Sequence, residues 1–194
     1  MIDYIKGNVA EITPTYVVID NQGIGYMINI SLNSYNTLQA QKQAVKVYVY
    51  EAIREDAHLL YGFAEKHERE LFMMLISVSG VGANSARMIL SSFTSSDLEQ
   101  VISQGNVAAL KSVKGVGAKT AQRIIVDLKD KIKVSSDALL DMSDFSTGAF
   151  DEALSALIML GFTKQMSTKA LKKLFAPNPA ISVEEAIKKA LKMM

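Results

Sequence analysis

Two stretches of this chain carry the same backbone chemistry. Leu75–Phe93 reads LISVSGVGANSARMILSSF and Leu110–Leu128 reads LKSVKGVGAKTAQRIIVDL. They agree at Leu75/Leu110, Ser77/Ser112, Val78/Val113, Gly80/Gly115, Val81/Val116, Gly82/Gly117, Ala83/Ala118, Ala86/Ala121 and Ile89/Ile124. Each stretch is an apolar helix end, a Gly-Val-Gly turn and the start of a second helix, which is the plan of a helix-hairpin-helix. The chemistry belongs to the main chain. So tight a turn requires positive φ, which glycine adopts without steric penalty. The missing side chains at Gly80, Gly82, Gly115 and Gly117 leave room for an anion. Helices starting near Ala83 and Ala118 present N–H groups without intrahelical partners, at the positive end of the helix dipole. A phosphate is the natural occupant of such a place.

The candidate phosphate-binding residues are therefore Gly80, Val81, Gly82, Asn84, Ser85 and Arg87 in the first copy. In the second they are Gly115, Val116, Gly117, Lys119, Thr120 and Arg123. The valine of each turn plugs the hairpin into its helix pair. Contacts of this kind hold the nucleic-acid backbone without reading base sequence. A single Gly-x-Gly is common in helix–helix turns; the second copy with matched flanks is what points to DNA. A P-loop is excluded because no GxxxxGK[ST] occurs, and a dinucleotide fingerprint needs a preceding strand.

Composition removes other classes. The chain has 194 residues, 49% of them hydrophobic, so it is globular. It has no cysteine, which excludes disulfides and thiolate metal sites. His58 and His67 have no metal-ligand spacing. No catalytic residues, metal or cofactor are expected. MIDYIKGNV at the N-terminus is neither a signal peptide nor a membrane span, which predicts a cytoplasmic protein with no membrane partner. Net charge is only +1, but its distribution is uneven. Residues 1–64 carry more acidic than basic side chains. Residues 111–133 gather Lys111, Lys114, Lys119, Arg123, Lys129, Lys131 and Lys133 against Asp127 and Asp130 alone. That is a local electrostatic footprint for DNA around the second hairpin.

The elements that must position these turns follow from periodicity. TYVVID, GYMINI and VKVYVYEAI are short β-branched runs, the first two joined at Asn21–Gly23 as a hairpin. Val45, Val47 and Val49 alternate with Lys46, Tyr48 and Tyr50, as in a half-buried strand. Four to six strands in residues 1–64 predict a small closed barrel, of which the OB-fold is one kind. From Glu65 the period becomes helical, with Leu71, Leu75 and Val78 on one stripe. Ser95 or Ser96 is the expected N-cap of the next helix, and Asn106 of the one after it. Residues 65–133 read as an all-helical domain of about five helices. Residues 134–148, with Ser and Asp but no basic residue, read as a flexible acidic linker. Residues 149–194 read as three short helices: one ending at Gly161, one capped by Thr163, and one opened by the Ser182-x-x-Glu185 capping box.

The order of barrel, paired Gly-Val-Gly helices, acidic linker and three-helix tail spans the full length. Added to it are MIDYIKG, REDAHLLYGF at 54–63 and KGVGAKTAQRIIVDLKDK at 114–131. Together they resemble the RuvA family of Holliday-junction-binding proteins. The resemblance implies an N-terminal OB-like β-barrel, a central tandem helix-hairpin-helix domain and a C-terminal three-helix (UBA-like) domain. It implies a homotetramer, alone or as two face to face, that holds a four-way DNA junction open and planar. It implies recruitment of a RuvB-type hexameric ATPase for branch migration, in DNA recombination, DNA repair and the SOS response to DNA damage, with a RuvC-type resolvase as a further partner. ATP hydrolysis would belong to the partner, so the chain itself would be non-catalytic. The family's acidic pin falls on Glu55 and Asp56. Its motor-binding surface falls on Leu157, Leu160 and Phe162, with Leu191 on the last helix. The chain departs from the family where Asn84 and Ala118 stand at positions that often carry Lys, which predicts weaker binding and a shallower salt dependence. Two other readings of the repeat remain: a general, non-sequence-specific helix-hairpin-helix module of a repair complex, and a protein-only scaffold.

Overall fold

The computed structural model describes residues 1–41, 44–140 and 148–193, with backbone alone for 133–140. Five strands close into a barrel: β1 (Tyr4–Ile12), β2 (Tyr16–Asn21), β3 (Ile24–Ile30), β4 (Val45–Ile53) and β5 (His58–Phe63). Their order is β1-β2-β3-β5-β4, antiparallel throughout except for β3 with β5. That is the OB arrangement. The β2–β3 turn has Gln22 at φ 52° and Gly23 at φ 87°, the two left-handed residues of a type I′ hairpin, whose twist matches that of the strands. Along β4, Val45, Val47 and Val49 point into the barrel while Lys46 faces solvent. Gly62 is a packing requirement: a Cβ there would lie 2.4 Å from Ile28 Cγ2 and 2.7 Å from Val47 Cγ1. Two elements had no clear signal in the periodicity. One is β1, which bulges between Val9 and Glu11. The other is α1 (Leu32–Gln39), capped by Ser31.

Five helices follow: α2 (Lys66–Ile76), α3 (Ala83–Ser92), α4 (Ser95–Ser103), α5 (Val107–Lys111) and α6 (Ala118–Leu140). Asn106 caps α5 as expected, accepting from Ala109 N–H at 3.1 Å. The cap of α4 is Thr94, however, and not Ser95 or Ser96. Its hydroxyl oxygen accepts from Asp97 N–H and also donates to the Asp97 carboxylate at 2.6 Å. That reciprocal pairing is open only to the residue three before Asp97.

Barrel and helices are not separate bodies. They form one compact unit, Met1–Val134, because Tyr61 and Phe63 of β5 lie in the helical core. Phe72 of α2 sits at the junction, with ring centroids 4.9 Å from Phe63, 5.4 Å from Tyr50 and 5.5 Å from Tyr61. Each such pair adds about 0.5–1.5 kcal/mol beyond its area burial. Arg69 reinforces the joint by donating to the Asp3 carbonyl and carboxylate, both at 2.7 Å.

The second unit is Ser135–Met194. In it α7 (Gly148–Met159), α8 (Lys164–Phe175) and α9 (Val183–Leu191) enclose a core that includes Leu157, Leu171, Phe175 and Ile181. Gly161, at φ 97°, ends α7 in a Schellman turn: Phe162 N–H reaches Leu157 C=O at 3.1 Å and Gly161 N–H reaches Ile158 C=O at 3.0 Å. Thr163 caps α8 and Ser182 caps α9. The expected linker is shorter than its composition suggests. Residues 134–140 continue α6 and Gly148 belongs to α7. Ala118–Leu140 contains no Gly or Pro, so nothing in the backbone stops the helix there. Residues 141–147 lie outside the described residues. No helix of the described residues is long and apolar enough to cross a membrane.

Candidate nucleic-acid interface

The two Gly-Val-Gly turns have nearly the same geometry. The first glycine of each is left-handed, Gly80 at φ 93° and Gly115 at φ 87°. Val81 and Val116 are each 6% exposed and sit in the helical core, as their place between glycines requires. Val81 N–H bonds Val78 C=O at 3.0 Å, and Val116 N–H bonds Val113 C=O at 3.1 Å. The matched serines also repeat: Ser77 and Ser112 hydroxyls donate to the carbonyls of Met74 and Ala109, both at 2.7 Å.

Beyond each turn a helix begins with its donors open. The first bonds back into α3 and α6 are Ala86 N–H to Gly82 C=O and Ala121 N–H to Gly117 C=O, both 2.9 Å. The N–H groups of residues 83–85 and 118–120 therefore have no acceptor among the described residues. Gly82 supplies no side-chain cap. A Cβ placed on Gly80, Gly82, Gly115 or Gly117 would meet nothing within 4 Å. Open N–H groups at a helix N-terminus beside an uncrowded turn suit an oxyanion.

The flanking side chains are less alike. Lys119, at the second turn, is exposed, as are Lys111 and Lys114. The equivalent of Lys119 in the first copy is Asn84, whose Oδ1 accepts a hydrogen bond from the Tyr61 hydroxyl at 3.2 Å. Ser85 and Thr120 are half-buried counterparts. The second turn is thus cationic and the first neutral at this position. Both arginines, expected to contact phosphate, also reach main-chain carbonyls. Arg87 donates through Nη1 to the Thr15 carbonyl of the barrel at 2.9 Å. Arg123 donates through Nη1 to the Ser79 carbonyl at 3.1 Å. A guanidinium with five donors can brace the protein and still offer N–H groups outward. The supports Tyr61, Thr15 and Ser79 were missed in the sequence because they lie far along the chain from what they hold.

Glu55 and Asp56 stand exposed at the tip of the β4–β5 loop, whose base is closed by Arg54 N–H to Ala57 C=O at 2.8 Å. Neither forms an ion pair among the described residues. Just below them, Glu51 ties down the N-terminus. Its carboxyl is held below the usual range chiefly by the Ile2 N–H at 2.7 Å, with the terminal amine and His58 adding and burial opposing.

Behind the first hairpin lies a buried polar joint that the sequence reading overlooked. Glu68 of α2 accepts from the hydroxyls of Ser31 and Ser34, and Ser34 Oγ accepts from Ala64 N–H at 2.9 Å. Burial pushes the Glu68 carboxyl up; the two serine hydroxyls oppose that, and Glu65 adds to it. The available signal was positional: 68, 71, 72 and 75 share one helix face, so a glutamate stood on the apolar stripe.

In the tail, the four expected contact residues divide. Leu157 is 0% exposed and belongs to the three-helix core, so it has no surface to offer a partner. The reason is the Schellman turn, which packs the residue after Gly161 against Leu157. Phe162 is half-buried against the same core. Leu160 and Leu191 are 59% and 42% exposed.

Comparison with known proteins adds the following. Residues 1–62 match the family described as RuvA N terminal domain, residues 72–130 the SAM-like Helix-hairpin-helix tandem, and residues 148–194 the RuvA, C-terminal domain. The chain is 55% identical over 197 residues to a protein of Parabacteroides distasonis. It is 52% identical over 203 residues to one of Bacteroides fragilis, with 100% of both chains covered in each case. A Flavobacterium psychrophilum relative is 47% identical over 193 residues, covering 99% of each chain. All three relatives are named Holliday junction branch migration complex subunit RuvA.

Proposed function

Since the chain belongs to the RuvA family, we propose that it binds four-way DNA junctions in the cytoplasm and serves as the DNA-holding, non-catalytic subunit of a branch-migration complex. The observation that carries this reading is the pair of Gly-Val-Gly turns, alike in φ, buried valine and open helix N-terminus, fixed in one compact unit. Two such grips hold one duplex arm by its phosphates without regard to sequence. Four arms then call for four copies, arranged as a homotetramer, or as two tetramers facing each other across the DNA. Exposed apolar side chains on the barrel support self-association. Met27 and Leu59 lie on the neighbouring strands β3 and β5, with Ile24 and Ile53 also exposed.

In this assembly Glu55 and Asp56 from each copy approach the crossover, where phosphates crowd. Like-charge repulsion there discourages ordinary duplex and favours separated strands. The C-terminal unit offers Leu160 and Leu191 to a RuvB-type hexameric ATPase, and a RuvC-type resolvase acts on the same junction. The motor supplies ATP hydrolysis.

The test is a gel-shift competition at physiological salt, in which a labelled synthetic four-way junction is challenged with excess linear duplex of the same sequences. Junction binding that survives the competitor is the expected result. Equal competition by duplex would reduce the protein to a general helix-hairpin-helix DNA binder. No shift with either DNA would leave only a protein scaffold.

A further inference from the structure

Resting on that DNA-binding reading, we propose that Arg123 is a positioning residue that sets the spacing between the two phosphate grips. Its place in the fold is unusual for a DNA contact. It lies on the second turn of α6, the helix launched by the second hairpin, yet its guanidinium donates to the carbonyl of Ser79 at 3.1 Å. Ser79 immediately precedes Gly80, whose left-handed backbone makes the first hairpin turn. One side chain therefore ties the helix of the second grip to the turn of the first.

The repeat shows that this tie is made only once. In the register that matches Leu75 with Leu110, Arg123 corresponds to Met88 and Ser79 to Lys114. Methionine has no N–H to donate, so the mirror-related tie, from Met88 to Lys114 C=O, cannot form. Arg87 does a parallel job elsewhere, bracing α3 against Thr15 of the barrel. The first hairpin is thus held from the barrel side by Arg87 and from the second-hairpin side by Arg123.

Two physical consequences follow. Phosphates along a duplex arm have a set spacing. A second grip adds affinity only if the protein presents it at that spacing, and a loose second grip loses effective concentration. In addition, a charged donor on Ser79 C=O polarises the peptide that it shares with Gly80, which makes the Gly80 N–H a better donor to an oxyanion. Lysine cannot replace arginine in this role. Its ammonium is a strongly hydrated point charge on a flexible stem, and lacks the planar fork that fixes direction.

The experiment compares the full chain with Arg123→Lys and Arg123→Met, binding a four-way junction and a linear duplex across a salt series. In parallel, amide hydrogen exchange is measured on the free proteins. Both variants are expected to bind the junction about ten-fold more weakly, because a mis-spaced second grip keeps only part of the avidity that two well-placed sites supply. The slope of log K against log salt should be the same for Arg123→Lys and Arg123→Met. The Val81 amide, which bonds Val78 C=O beside the tie, should exchange several-fold faster, with thermal unfolding unaltered. Wild-type affinity and exchange in Arg123→Lys, with a slope reduced by about one only in Arg123→Met, would mean that Arg123 is a plain phosphate contact and would overturn the proposal. Exchange at Val81 that is unchanged in both variants would overturn it as well. A wild-type chain that binds neither DNA would refute the functional reading and this proposal together. Tight wild-type binding with wild-type behaviour of Arg123→Lys would refute this proposal alone.

Discussion

Glu68 is a carboxylate buried with two serine hydroxyls and without an ion pair among the described residues. Burial raises its pKa above the unfolded value. The native state therefore favours the protonated form. The stability that protonation contributes is full below the unfolded pKa, about 4.3, and is lost as pH rises through the raised folded value. Glu68→Gln keeps the shape and removes the titration. Its unfolding temperature relative to wild type should rise as pH goes from about 4 to 7, by about 2–4 °C for each kcal/mol recovered in a unit of this size. A difference that stays constant across that range, measured by calorimetry, would show that Glu68 does not titrate against folding. This residue was half legible in the sequence: its place on the apolar face of α2 is a local fact, but the hydroxyls that face it come from α1 and its cap, over thirty positions away.

At the scale of elements, the hairpins were readable because their determinants are local. Left-handed Gly80 and Gly115, buried Val81 and Val116, and the open N–H groups beyond them all lie within a few residues of each turn. The caps at Asn106, Thr163 and Ser182 were legible for the same reason. Thr94 was not, because Thr, Ser and Ser in a row offer equivalent side chains and only the position of Asp97 decides among them. The end of α6 was misread from composition, since serines and aspartates that resemble a linker do not stop a helix already propagating without Gly or Pro. In the tail, the helical pattern could not separate core from surface. Leu157→Ala should destabilise the C-terminal unit by about 2–5 kcal/mol through the cavity it leaves. Leu160→Ala should change its stability by less than about 0.5 kcal/mol while weakening capture of a RuvB-type ATPase. Chemical denaturation of the full chain, followed by a probe in the tail, together with a pull-down of the purified motor, distinguishes the two. Equal destabilisation by both variants would contradict the assignment.

At the scale of the whole molecule, the barrel and the hairpins act as one body. Phe72, Arg69, Glu68 and Arg87 each join a helix to the barrel or to the segment that leaves it. The acidic loop at Glu55 and Asp56 therefore lies in the same compact unit as the two Gly-Val-Gly turns. Removing its charge should act on discrimination more than on affinity. Glu55→Ala/Asp56→Ala is expected to raise duplex affinity several-fold at low salt, with a smaller change for the junction, because repulsion in the first case meets an unbroken row of phosphates. A fluorescence-anisotropy titration of both DNAs would check this, and an unchanged junction-to-duplex ratio would remove the pin from the mechanism. The sequence by itself determined most strands of the barrel, the helical character of the middle and tail, the repeat and its turn chemistry, since all of these depend on neighbours within a turn or a strand; it did not show β1, α1 or the last turns of α6. Only the tertiary structure decided that the two arginines reach main-chain carbonyls, that Asn84 is engaged by Tyr61, that Leu157 is core, and that Tyr61 and Phe63 of the barrel join the helical core. Those outcomes depend on contacts between residues tens of positions apart, and hydrophobic periodicity carries no information about which partner a side chain will meet.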